Sequence, residues 1–371
     1  MLRFLTAGES HGPGLAAIIE GVPAGLELSE DDIARDLRRR QMGYGRGARM
    51  NIERDRAQIL SGVHKGKTTG SPIALLIENK DWANWKEREV APIRVPRPGH
   101  AELAGSVKYG HEDMRIIAER ASARNTATIV AVGAVARKFL ASFDVTIFSQ
   151  VIEIGGIKAN PVELPLAELI ERLEASSLRC TDAAAEEAMR QAIDGAKGNG
   201  DSLGGVFEVR CIGVPAGLGS YVQWERHLDG RLAQAIMSIQ AIKGVEIGDG
   251  FSLASKRGTE ANDELFVENG RLVRKTNHAG GVEGGVSNGE PIVIRAAMKP
   301  IPTTATPQRS VDVTTLQPAR SQYQRSDVCA VPAAGVVAEA MAAWTIADAF
   351  LEKLGGDSLS EIKSRFTVEM R

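Results

Sequence analysis

The sequence predicts a single α+β domain spanning residues 1–371, and three observations carry that prediction. Strand-like and helix-like segments mix without a regular βαβ rhythm, which disfavours a doubly wound parallel sheet. Neither a tandem repeat nor a low-complexity linker divides the chain, although its length alone would suggest two or three domains. Composition is ordinary for a globular protein, with 43% hydrophobic and 25% charged residues. A chain of 371 residues can bury a large core without disulfides or a structural metal.

The elements follow in order. Residues 2–7 and 15–21 read as two short strands around a Gly/Pro turn. A helix is predicted over 29–40, where Ser29 can cap, acids fill positions 30–32, and Ile33 and Leu37 stand four apart. Residues 41–50 hold Gly43, Gly45 and Gly47 and read as a flexible loop. The apolar run 71–77 reads as a buried strand. A long Ala-, Ile- and Val-rich helix is predicted over 114–141, with further helices at 165–176, 183–194, 226–242 and 335–353. Strands are predicted at 145–153, 205–213, 291–298 and 270–274.

Charge and cysteine usage narrow the function class. A net charge of -2 offers no global attraction to nucleic acid or a membrane surface, so an anion site must be a local gathering of cations. Cys180, Cys211 and Cys329 are scattered and odd in number, which suggests neither a disulfide framework nor a metal site. The N-terminus lacks the pattern of a signal peptide, and no run of 18 apolar residues appears; the expectation is a cytoplasmic protein. Glycine is in excess, at 39 residues, and marks tight turns or close backbone approach to a ligand.

Two motifs fail on context. Gly12–Ala17 matches G-x-G-x-x-A but leads into Ile18–Pro23, which cannot form the required helix. Gly62–Thr68 is one residue short of a P-loop and is followed by helix-breaking Gly70 and Pro72.

Five segments could carry chemistry. Arginines stand at 35, 38, 39, 40, 46, 49, 54 and 56 with no lysine among them; they suit either a solvated basic face or a bidentate site for phosphate and carboxylate. His11 lies in a turn after a strand, where it is either structural or a proton donor, and His100 stands at the exit of the Pro98-Gly99 turn. Arg120 and Arg124 would share one face of the predicted 114–141 helix. Arg325 and Asp327 precede the helix at 335, either as a structural pair or as a tuned proton acceptor. A nucleic-acid module would require a basic chain and exposed aromatics, yet the arginine loop has only Tyr44.

Taken together and in this order, these segments resemble the chorismate synthase family over essentially the whole chain. The carriers are Gly8-Glu9-Ser10-His11-Gly12, the Arg38–Arg49 loop, Arg97–Ala101, Arg120–Ala127, Gln240–Glu246, Asn277–Gly281 continuing to Asn288-Gly289, Lys299-Pro300, and Arg325–Cys329. The resemblance implies a β-α-β sandwich, helices between antiparallel sheets, assembled as a homotetramer. It implies 1,4-anti elimination of phosphate from 5-enolpyruvylshikimate 3-phosphate to give chorismate, requiring reduced FMN without net redox change. The competing expectation is another phosphate-ester enzyme using the same arginines.

Roles follow from the same resemblance. His11, His100, Asp327 and Ser10 are the implied catalytic group: His11 protonates the leaving phosphate, His100 tends the flavin, Asp327 works in proton removal and Ser10 supports the network. Arg40, Arg46, Arg49 and Arg124 are implied to bind substrate or NADP. The implied flavin contacts are Arg120, Ala121, Ser122, Gln240, Ala241, Gly284, Lys299, Pro300, Ile301, Pro302, Thr303 and Arg325. No reductase domain is evident, so an external flavin reductase, with NADPH as indirect reductant, is expected, and no metal. The chain departs from the common family pattern at Ala121, Gln240, Ser326 and Val328, which leaves contacts there open.

Overall fold

Residues 1–47, 54–160, 162–323 and 327–369 are described by a computed structural model. Two antiparallel sheets enclose a layer of helices, the arrangement expected. The first sheet runs β1 (Arg3–Gly8), β2 (Gly14–Glu20), β6 (Ile73–Glu78), β3 (Ala57–Ile59). Its alternation is visible in β2 and β6, whose Leu15, Ala17, Ile19, Ile73, Leu75 and Ile77 are buried on one face. The second sheet runs β10 (Ile242–Ile247), β15 (Ile292–Met298), β9 (Gly205–Ile212), β7 (Thr146–Ile154), β8 (Ile157–Lys158). A register shift in β7 between Val151 and Glu153 marks a bulge against β9.

Four helices fill the space between. α1 (Glu30–Gln41) and α4 (Thr126–Ala141) lie toward the first sheet, while α7 (Leu228–Met237) and α9 (Val331–Leu354) pack on the second. Ser29 caps α1 as expected, in a reciprocal capping box with Asp32. The alanines of α4 and α9 let these two helices pack closely. At Gly133 a Cβ would overlap Ala340, so only glycine fits this crossing. By length and composition α9 could cross a membrane, which the sequence reading did not anticipate. Yet 83% of its most apolar window is buried inside the protein, as suits a core helix apolar on all sides.

The remaining elements flank this core. They are α2 (Glu102–Tyr109), α3 (Arg115–Ala121), α5 (Leu166–Ala175), α6 (Ala183–Gly198), α8 (Gly258–Ala261) and α10 (Leu359–Glu369). Among the described residues four two-stranded ladders complete it: β4 (Val63–His64) with β5 (Lys67–Thr68), β11 (Leu265–Glu268) with β12 (Arg271–Arg274), β13 (Val282–Glu283) with β14 (Val286–Ser287), and β16 (Arg309–Val311) with β17 (Pro318–Arg320). The rejected P-loop is thus the small β4–β5 turn.

Two predicted helices differ from the structure. The 114–141 helix is broken at Ser122, which is extended at φ -59, ψ 140. The Ser122 hydroxyl accepts the backbone N–H of Arg124, a local bond that competes with the helical one. The Asn125 amide then donates to the carbonyls of Glu119, Arg120 and Ser122, satisfying the orphaned end of α3. Arg120 and Arg124 therefore do not share a helix face. The 226–242 helix stops at Met237, because Ala241 turns at φ 67 and Ile242 enters β10 beside β15. Gln240 and Ala241 consequently sit in a turn rather than on a helix.

Candidate active site

The Gly8–Gly12 segment is a tight turn leaving β1, closed by the Gly12 N–H donating to the Glu9 carbonyl at 3.3 Å. One buried side chain holds it from across the first sheet. Asn79, just past β6, donates from Nδ2 to the carbonyls of Glu9 (3.0 Å) and Gly12 (2.8 Å). On the other side of its amide, Asn79 Oδ1 accepts Arg124 Nε at 2.9 Å. The turn carrying His11 and the guanidinium of Arg124 are thus fixed to each other by a single residue.

His11 is two-sided. Glu119 on α3 accepts its backbone N–H at 2.7 Å and meets its Nδ1 at 2.7 Å. The Trp85 ring lies against the imidazole with centroids 4.1 Å apart. Burial alone would raise the Glu119 carboxyl; the two bonds and the charge interaction with His11 outweigh it and hold it below the usual value. Ser10, buried beside His11, accepts the Ser122 hydroxyl at 3.1 Å, so the helix break is what brings Ser122 to this turn.

The arginines separate into distinct roles. Arg35, Arg38, Arg54 and Arg56 are exposed, as a solvated face would be. Arg40 is buried on the last turn of α1, donating to Thr126 Oγ1 at 2.7 Å and to the Ala123 carbonyl at 2.9 Å. Arg40 and Arg124 share the buried carboxylate of Asp55, at 3.4 and 2.6 Å. Arg46 pairs with Asp327 at 2.6 Å, and Asp327 also accepts the Gly47 N–H. Burial pushes Arg40 down to about 10; nearby Arg46 and Arg124 add to that, while Asp55 and Asp327 oppose it. Arg40 still carries its charge at neutral pH. Three guanidiniums around two carboxylates leave local positive charge, which suits an anionic ligand. Arg49 and Arg325 lie outside the described residues.

His100 belongs to a second group. Arg97 donates from its backbone and Nε to Glu102 and from Nη1 to Thr303 Oγ1 at 2.9 Å, which ties the His100 turn to the 299–303 segment. Lys299 Nζ donates to the Gly99 carbonyl at 2.7 Å, and Pro302 packs by Gly99. The Ile301 carbonyl accepts Ser202 Oγ, while neighbouring Leu203 N–H donates to the Val328 carbonyl. Through residues 202 and 203 the 299–303 segment is thus linked to Val328, next in sequence to Asp327; Pro300 within it is exposed. Burial, then Arg97 and Lys299, push His100 down to about 4 against the pull of Glu102. The imidazole is therefore neutral at pH 7. Nuclear magnetic resonance of labelled His100 is expected to show no titration between about pH 5 and 8; a midpoint near the ordinary histidine value would contradict this.

A third region is a cavity of about 150 Å³ lined by Thr6, Arg120, Asn125, Thr126, Ser238 and Gln240 together with apolar Ile129, Ile239, Val337 and Met341. Arg120 reaches over it, donating to Asn125 Oδ1 and to the Thr6 carbonyl and hydroxyl. Thr126 connects this cavity to Arg40, and the Ala241 carbonyl accepts the Lys299 N–H at 2.9 Å. Ala121 ends α3 beside Ser122. Gly284 sits exposed in the β13–β14 turn, and among the described residues no contact joins it to the others.

Sequence reasoning missed Asp55, Asn79, Glu119 and Glu102. The available signals were weak: an acid between two arginines at 54–56, and a lone Asn ending an apolar strand.

Comparison with known proteins gives one consistent result. The family model described as chorismate synthase matches residues 2–351. A protein of Geobacter sulfurreducens named chorismate synthase is 56% identical over 383 aligned positions, covering 99% of this chain and 98% of its own length. One of Desulforamulus reducens with the same name is 56% identical, covering 98% of this chain and 97% of its own. A solved structure titled as a crystal structure of chorismate synthase is 47% identical, with a TM-score of 0.82 over 100% of this chain and 97% of that one.

Proposed function

The chain belongs to the chorismate synthase family, and from that premise we propose that the cationic site beside His11 expels phosphate from 5-enolpyruvylshikimate 3-phosphate by 1,4-anti elimination. Such an enzyme is a carbon–oxygen lyase of the shikimate pathway, feeding aromatic amino-acid synthesis. The observation that carries the site assignment is the joining, through Asn79, of a proton-bearing turn to an arginine cluster.

The substrate loses phosphate from C3 and a proton from C6, and the product gains a carbon–carbon double bond. Arg40, Arg46, Arg124 and Arg49 hold its phosphate and carboxylates, as bidentate forks suit both groups. His11 gives a proton to the departing phosphate, since neutralising charge as it develops lowers the barrier. Asp327 serves in proton removal from C6. It is occupied by Arg46, so a substrate carboxylate that draws Arg46 away would release it.

The family implies a flavin; we take it to be reduced FMN, which would lend electron density to the substrate transiently and recover it. The residues present fit such a group. Arg120 and Gln240 border the cavity, whose apolar side suits a flat ring; at about 150 Å³ it would take part of a flavin. Lys299, Thr303 and the Ala241 turn lie together as a second contact region, which includes Pro300, Ile301 and Pro302; Ala121, Ser122, Gly284 and Arg325 are assigned to the flavin by the family resemblance alone. Neutral His100 beside Lys299 offers a hydrogen-bonding group without added charge.

In this reading the whole chain acts as one domain, its main core drawing on residues from Leu2 to Ile362. It works in the cytoplasm as a homotetramer, with reduced flavin from an external NADPH-driven reductase. Exposed Leu5 and Ile18, paired across β1 and β2, support self-association.

The test is an anaerobic assay of the purified protein with the enolpyruvyl phosphate substrate. Phosphate release is expected with reduced FMN and not with oxidised FMN or none. Absence of release with reduced FMN would overturn the reading; release without flavin would favour a different phosphate-ester enzyme.

A further inference from the structure

We propose that Glu119 is the positioning residue that orients His11 and fixes which of its ring nitrogens faces the substrate. The inference rests on His11 acting as the acid. The geometry begins with the double contact, in which one carboxylate takes both the His11 backbone N–H and the Nδ1 of the same residue, each at 2.7 Å. Each bond restricts a different degree of freedom. The backbone bond sets the turn, and the ring bond sets the side-chain torsions. Trp85 closes one face of the ring at a centroid distance of 4.1 Å. Glu119 is itself fixed, because its helix ends in carbonyls capped by Asn125 and its own carbonyl accepts the Ser10 N–H.

The chemical consequence concerns the tautomer. A carboxylate accepts and does not donate, so Nδ1 carries a proton toward Glu119 whether the ring is neutral or cationic. Nε2 is then the nitrogen that can give a proton to the leaving phosphate. After transfer His11 is left as the neutral Nδ1–H form, without rotating the ring. The proton travels from Nε2 to a phosphate oxygen and no electrons are exchanged with Glu119. The carboxylate lies behind the ring and need not touch the substrate. At 28% side-chain exposure, His11 remains reachable from outside.

Glu119→Ala removes both bonds, and Glu119→Gln leaves one acceptor oxygen for two donors. Taking as a guide the scale known for residues that orient metal-bound histidines, Glu119→Ala is expected to lower kcat by about 10- to 100-fold with KM within a few-fold. Glu119→Gln should fall between it and the parent protein. The decisive readout is nitrogen-15 resonance of labelled histidine, with the His11 signals identified by their loss in His11→Ala. The parent protein should show the Nδ1–H tautomer, and the Glu119 variants a mixture or the Nε2–H form. An unchanged tautomer, or an unchanged kcat in both variants, would overturn the proposal. Glu119→Gln keeps the test available should the alanine variant fail to fold. The acid role of His11 is judged separately: if His11→Ala retains turnover that role falls, while the tautomer measurement still decides whether Glu119 orients the ring.

Discussion

His11→Ala is expected to bind substrate nearly as well as the parent protein and to lose turnover by about 10²- to 10⁴-fold, the usual span for a positioned general acid. The separation of effects follows from the layout. The groups proposed to hold the anion are Arg40, Arg46 and Arg124, anchored to Asp55, Asp327, Thr126 and Asn79. None of these bonds involves the His11 side chain, whose partners are Glu119 and Trp85. Removing the imidazole therefore leaves the cationic site standing and withdraws only the proton. Steady-state kinetics with reduced FMN, alongside a direct binding measurement, reads both quantities. Turnover at the parent level would take His11 out of the acid role, and lost binding would show that the turn and the arginines are not independent.

The second large effect is on stability. Glu339 sits in the middle of α9 at 1% exposure, accepting Arg39 through both oxygens at 2.7 and 2.9 Å. Arg137, Arg179 and the Ser149 hydroxyl also donate to it. Glu339→Ala leaves Arg39, Arg137 and Arg179 without their common counter-charge, and breaking a buried pair in this way costs about 3–5 kcal/mol. Denaturant unfolding at neutral pH should show a loss of that order; a loss below about 1 kcal/mol would mean the guanidiniums find other partners or water.

The same group sets a pH dependence with a definite sign. Burial alone would raise the Glu339 carboxyl, but Arg39, Arg179 and Arg137 prevail and lower it from 4.5 to about 2. A carboxyl depressed in the folded state contributes its full stability above the unfolded value. That contribution is lost as pH falls from about 4.5 through about 2. The stability gap between the parent protein and Glu339→Gln should accordingly narrow over this acid range. A gap that stays constant would show the charge of Glu339 to be irrelevant.

Much of the fold was legible because its signals are local. Ser29 and the acids after it announce α1, and the alternation of Leu15, Ala17 and Ile19 announces β2. The Ser122 break was not legible, since the residues around it favour a helix; it depends on Asn125 and Ser10 being present to satisfy the freed groups. The candidate site was half legible. His11, Arg40, Arg46, Arg124 and Asp327 could be named from their types and order. Their holders could not: Glu119, Asp55 and Asn79 bond to partners 108, 69 and 45 residues away.

Arg39 and Arg40 show where the boundary lies. The sequence alone determined that α1 is a capped helix ending in three arginines and followed by a glycine-rich loop, because periodicity and capping act within a few residues. It offered nothing to separate neighbours of the same type. Adjacent residues on a helix point about 100° apart, so the packing of α1 against α4 and α9 assigned them opposite fates. Arg39 turns to Glu339 and Glu174 and becomes structural; Arg40 turns to Asp55 and Thr126 and joins the site. A charge is buried only where a counter-charge awaits it, and which counter-charge arrives is decided by segments far apart in the chain.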